Sequence, residues 1–127
     1  MNKLEEIMTL FEKIGETRLR LIVNTFYSKV FESAIISGLF QTDKELIKQK
    51  QYEFLTQFLG GPQLYSQKYG HPKMRMRHLP HAIDDIAKTE WLKCMNEAIH
   101  EVISDDEELA NALYQCFPPI AQHMVNR

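Results

Sequence analysis

Apolar residues recur at intervals of three and four along almost the whole chain, a spacing that places them on one face only if the backbone is helical. Leu4, Ile7, Met8, Phe11 and Ile14 make the first such run, and Gly15 ends it. A second helix starts near Thr17, turns Leu19, Ile22, Phe26, Val30 and Phe31 inward and fades at Ser33, with Gly38 breaking the residues beyond. Thr42-Asp43-Lys44-Glu45 reads as a capping box that opens a third helix carrying Leu46, Gln51, Phe54, Leu55 and Phe58. Gly60-Gly61-Pro62 stops that helix, glycine supplying the left-handed cap and proline refusing the next turn. Asp84-Asp85 opens a fourth through Ile86, Trp91, Leu92, Met95, Ile99 and Val102. Ser104-Asp105-Asp106-Glu107 repeats the capping-box pattern ahead of Leu109, Leu113, Phe117, Ile120 and Met124. Pro118-Pro119 falls inside that last face and predicts a kink or two shorter helices. One all-α domain over residues 1–127 is expected.

The periodicity fails in one place, from Pro62 to Ile83. Together with Gly60 and Gly61, this stretch holds three of the five prolines, three of the five glycines and three of the five histidines. Pro72 and Pro80 forbid a long helix, so loop plus one short helix, Met74 to Leu79, is expected. A loop of this length in a small domain is usually functional or disordered. Leu64, Tyr65, Tyr69, Met74, Met76 and Leu79, interleaved through it, argue against disorder.

Composition removes several classes of function. With 15 basic and 17 acidic residues, a formal net charge of −2 gives no electrostatic case for nucleic acid or an anionic membrane. No apolar run approaches the ~18–20 residues that span a bilayer. The early acids of Met-Asn-Lys-Leu-Glu-Glu do not make a signal peptide. Cys94 and Cys116 form neither a metal spacing nor a disulfide framework, and Cys94 on an apolar helical stretch reads as a small buried hydrophobe. A cytoplasmic protein is expected.

Ser-His-Asp chemistry has no support, because no Gly-x-Ser-x-Gly turn is present and Ser66 stands alone. Gly60-Gly61-Pro62 ends a helix rather than opening one, so it is not a phosphate cradle. Zinc fits poorly: His71, His78 and His81 share a loop with no cysteine and no His-Glu-x-x-His helix. In Arg75-Met76-Arg77-His78-Leu79-Pro80, a histidine on a short helix beside an apolar cavity is what an iron porphyrin needs on one side. The flanking arginines, part of a locally basic run from Lys68 to Arg77, could then serve its two propionates. On residue type alone, the blander alternative, an exposed or structural histidine amid a solvated basic face, is the commoner one. Tyr27 on the inward face of the second helix, Gln51 on the third and Trp91 on the fourth each bury a large body yet need a partner for an O–H or N–H. A small ligand with partial negative charge would satisfy all three; so would three separate outlets to the surface.

Gly60-Gly61-Pro62-x-Leu64-Tyr65, Gly70-His71-Pro72, Met76-Arg77-His78-Leu79-Pro80 and Trp91-Leu92-x-Cys94-Met95 come in the order and at the spacing of the group II truncated haemoglobins, which this chain resembles closely. Thr9 to Gly15, Phe26-Tyr27 and the C-terminal His123-Met124-Val125-Asn126 agree, so the resemblance spans nearly the whole chain.

That resemblance implies a truncated globin, a two-over-two helical sandwich around haem b (iron protoporphyrin IX). It makes His78 the proximal iron ligand, places Tyr27, Gln51 and Trp91 at a polar distal site, and packs Phe40 on the haem. Tyr65 and Arg77 would meet the propionates, and Ile47 would occupy the distal-gate position. Three features depart from the pattern. His81 stands where the family usually has phenylalanine, Ile47 is bulky where the family prefers a small or polar residue, and Pro118-Pro119 interrupts a final helix that is usually continuous. The implied function is reversible binding of O2, with CO, NO or sulfide as further ligands, at high affinity and with slow release. Two alternatives stand beside it. One is a redox enzyme on the same haem (peroxidase-like, or detoxifying nitric oxide or sulfide) served by an unidentified reductase. The other is a haem-free helical interaction module. Monomer and homodimer are both open.

Overall fold

The computed structural model describes residues 7–41 and 43–127, and every regular element among them is helical. Helix α1 (Leu10–Ile14) opens at Thr9 with a capping box: the Glu12 amide donates to Thr9 Oγ1 at 3.1 Å, and the Thr9 amide to the Glu12 carboxylate at 3.2 Å. The apolar run anticipated from Leu4 is thus interrupted at Met8-Thr9 and restarts there; Leu4 itself lies outside the described residues. Gly15, at φ 85°, turns the chain into α2 (Glu16–Glu32). The Arg18 guanidinium then donates to the Ile14 and Lys13 carbonyls, both at 2.7 Å, satisfying the exposed end of α1.

Helix α3 (Lys44–Phe58) is capped by Asp43, whose carboxylate accepts from the Glu45 and Leu46 amides at 2.9 and 3.0 Å. The threonine expected in this role, Thr42, lies outside the described residues. Gly60 adopts φ 97°, as a left-handed cap should. Here the structure adds a second reason for the glycine pair. A Cβ on Gly60 would lie 2.7 Å from Thr9, and one on Gly61 would lie 2.7 Å from the Phe11 ring and 2.9 Å from the Thr56 carbonyl. The pair ends α3 and also lets α1 dock against it, tied by a 3.0 Å hydrogen bond from the Phe11 amide to the Leu59 carbonyl.

The proline-rich stretch holds two short helices, α4 (Leu64–Tyr69) and α5 (Met74–His78), rather than the one expected. The period of α4 escapes notice in sequence because six residues give fewer than two turns. Next comes α6 (Asp85–Val102), with Asp84 as N-cap. Ile86, expected on its inner face, is 65 % exposed: the buried face of the helix starts instead at Ala87 and continues through Cys94, Met95 and Ala98, about 100° round the helix from Ile86. The last apolar face breaks as anticipated, into α7 (Glu107–Tyr114) and α8 (Phe117–Met124), with both prolines in the first turn of α8. The cap of α7 is Asp106, bonded to the Leu109 amide at 3.0 Å, not Ser104.

Helix α2 crosses α6 and packs on α3, while α6 packs on α7 and α8, giving two helix pairs laid one over the other. Phe26, Val30, Met95, Ala98 and Ile99 are fully buried at the α2–α6 crossing. Each large apolar side chain there contributes ~1.5–3 kcal/mol. Cys94 is buried in the same seam, and burial pushes its thiol pKa up. No helix among the described residues is long and apolar enough to cross a membrane.

Candidate functional site

Between the two pairs lies a cavity of about 270 Å³. All eight residues singled out from the sequence line it: Tyr27 from α2, Phe40 from the turn that follows, Ile47 and Gln51 from α3, Tyr65 from α4, Arg77 and His78 from α5, and Trp91 from α6.

One wall is aromatic and preset by packing. The Phe26 ring sits edge-on to both Tyr27 and Trp91, at 4.9 Å from each, so one buried side chain fixes both donors. Phe40 closes on Tyr27 at 5.8 Å, and Phe117 braces Trp91 at 5.8 Å. Tyr27 is 2 % exposed, and burial pushes its phenol pKa far above the usual value, so it stays a neutral O–H donor at neutral pH. Among the described residues neither the Tyr27 hydroxyl nor the Trp91 indole N–H has a hydrogen-bond partner, and no buried side-chain polar atom is orphaned. Both residues line the cavity.

His78, from α5, lines the same cavity. Its Nδ1 lies 2.6 Å from the Met74 carbonyl. A carbonyl oxygen can only accept, so Nδ1 bears the proton and Nε2 keeps its lone pair free to bind a metal. In the same lining Tyr65 is buried, edge-on to Phe54 at 6.1 Å and tilted against Tyr69 at 4.8 Å, with the exposed Arg77 guanidinium 5.9 Å from its ring centre. Helix α4 is pinned for this purpose to α3: Gln57 donates to Ser66 Oγ at 2.8 Å and accepts from the Ser66 amide at 2.9 Å, and the exposed Lys68 pairs with the buried Glu53.

Other lining residues carried no signal in the sequence. Ala87 and Ala121 matter by being small where a longer side chain would fill the space. Lys50 and Lys88 bring two more cations to the rim, Lys88 steadied by Asp85 at 3.4 Å and Gln122 at 2.7 Å. No carboxylate lines the cavity among the described residues. His81, one of the departures from pattern, reaches it from the same side as His78. A mostly apolar cavity with one free imidazole nitrogen, cations among its lining and O–H and N–H donors in the same lining fits a flat, iron-bearing macrocycle with carboxylate arms.

The bacterial-like globin family model matches residues 9–126. A group 2 truncated haemoglobin of Bacillus subtilis (strain 168) is 39 % identical over 117 residues, covering 92 % of this chain and 88 % of that one. Among solved structures, the group II truncated haemoglobin from Bacillus anthracis superposes with a TM-score of 0.88 at 40 % identity, covering 94 % of this chain and 92 % of that one. The truncated oxygen-avid haemoglobin from Bacillus subtilis superposes equally well, with a TM-score of 0.88 at 39 % identity over 94 % of this chain and all of the other.

Proposed function

This chain belongs to the bacterial-like globin family, as a haem-binding truncated haemoglobin of group II, and from that premise we propose that it binds O2 reversibly, with high affinity and slow release. The cofactor in this reading is haem b, held by a single truncated-globin domain over residues 1–127. Bound there, it would supply ferrous iron, the chemistry that takes up a diatomic ligand reversibly. His78 presents Nε2 to the iron, its ring held by the bond to the Met74 carbonyl. Arg77 and Tyr65 would meet the propionates, and Phe40 would pack on the haem; all three line the cavity.

Across the cavity Tyr27 and Trp91 donate to the ligand, with Gln51 as a third contact, and Ile47 narrows the approach along α3. A hydrogen bond to a partly charged acceptor contributes ~1.5–3 kcal/mol, and each ~1.4 kcal/mol is tenfold in affinity. Two such donors slow O2 release by orders of magnitude, which suits retention better than transport. CO, NO and sulfide are further ligands of the same site. The oxygen-avid relative supports this reading. The observation that carries it is that a free imidazole nitrogen and two neutral donors line one cavity with no carboxylate among the described residues around it.

The test is an absorption spectrum of the purified chain, before and after adding haem. A Soret band that disappears in His78→Ala is expected. A colourless protein that takes up no haem would return the chain to the interaction-module alternative.

A further inference from the structure

The helix that carries His78 is held in an unusual way. It has five residues, none of them buried, and its N-cap Lys73 sits in the left-handed region at φ 46°. A helix this short has no stability of its own, and packing does little to fix it. Its last carbonyls, like those of any helix end, also need partners from outside.

Those partners come from the C-terminal residues. The Asn126 side-chain amide donates to the His78 carbonyl at 3.2 Å and to the His81 carbonyl at 2.9 Å, and its oxygen accepts from the Ile83 amide at 3.0 Å. The Asn126 and Arg127 amides both return to the Ile83 carbonyl, at 2.9 and 3.2 Å. One turn before His78, Arg75 closes the link from the other side, donating to the His123 and Val125 carbonyls at 2.7 and 3.1 Å. Asparagine alone among the short side chains offers two donors and an acceptor in one plane, and every one of these functions here is spent on residues 78–83.

We infer that Asn126, braced by Arg75, is a positioning residue that holds the His78 segment in the orientation used for haem ligation. This rests on the reading of His78 as iron ligand. Removing the amide frees the carbonyl of His78 and the turn that follows it, so the imidazole gains freedom to tilt away from the bond axis. Partners of this kind around a metal ligand are worth 10–100-fold in affinity.

Haem-loaded Asn126→Ala and Asn126→Asp are compared with wild type and with Ile103→Val, a conservative core change in the C-cap of α6 remote from the cavity. Asp keeps the size and the acceptor but loses both donors, so it tests the bonds even where Ala folds poorly. Three quantities are read: haem transfer to excess apomyoglobin, the iron–histidine stretching band of the ferrous ligand-free form, and melting of the haem-free chain. Both Asn126 variants are expected to lose haem at least about tenfold faster, with a shifted or broadened band, while Ile103→Val lowers the melting temperature and leaves haem loss and band unchanged. Wild-type haem loss and band in Asn126→Asp overturn the inference, and so do equal changes in Ile103→Val. A Soret band and an iron–histidine band that survive His78→Ala would instead overturn the ligand assignment and this inference with it.

Discussion

The two walls of the cavity are built on different physics. The Tyr27–Trp91 wall belongs to the main core: Phe26 is 0 % exposed, and its neighbours Val30, Met95 and Ile99 are as deeply buried. The His78 wall is a short helix with Met76 56 % and Leu79 49 % exposed, held by hydrogen bonds from residues 123–127. Packing fixes the donors before any ligand arrives. The His78 side is fixed by directional bonds to polar atoms, which give way at lower cost. One wall sets the chemistry rigidly, and the other can yield enough to admit a cofactor.

His78→Ala breaks this contrast most severely if it fails: the Soret band should vanish, while far-UV circular dichroism shows the haem-free chain still helical and melting near the wild-type temperature. Collapse of the fold would mean that the weaker wall supports the stronger. Truncating matched apolar groups comes next. Phe26→Ala should cost ~3–5 kcal/mol through a core cavity, against ~0.5 kcal/mol or less for Leu79→Ala, both read from urea unfolding of the haem-free protein. Equal losses would erase the distinction. Tyr27→Phe and Trp91→Phe should each speed O2 release about tenfold, for the loss of one hydrogen bond of ~1.5 kcal/mol, with stopped-flow mixing as the measurement. If neither changes the rate, the donors do not reach the ligand.

The smallest effect is one of pH. An unfolded tyrosine ionises near its ordinary value of 10.0, whereas burial holds Tyr27 well above it. Above pH 10.0 the unfolded chain therefore binds fewer protons than the folded one, and stability falls as pH rises further. Tyr27→Phe should flatten that alkaline slope in melts taken from pH ~9 to ~11.

The helices were legible wherever apolar residues kept a 3.6-residue period for three turns or more, as in α2, α3 and α6. The region from Gly60 to Ile83 was legible as an exception, from its prolines and glycines. Its second short helix was not, because α4 is fixed by the Gln57–Ser66 and Lys68–Glu53 contacts with α3 rather than by any pattern of its own. Capping was readable to within two residues: Asp106 took the place of Ser104, since either polar side chain can close the first turn and geometry chooses. Of the eight site residues, Tyr27, Gln51, Arg77, His78 and Trp91 showed in the sequence by type, and Phe40, Ile47 and Tyr65 only by resemblance; all eight line one cavity. Lys50, Lys88, Ala87 and Ala121 did not, because a solvated lysine and a packed alanine look the same in sequence wherever they lie. Asn126 stood out only as part of a C-terminal motif, since its partners are 43 to 48 positions earlier.

The break at Gln115-Cys116 sets a rotational phase. Ile120, Ala121 and Met124 point into the cavity, and Asn126 reaches the His78 segment, only because α8 starts at the right angle about its own axis. A helix advances about 100° per residue. Deleting either turn residue would swing the cavity floor and the C-terminal grip out of alignment in a single step, although neither residue lines the cavity.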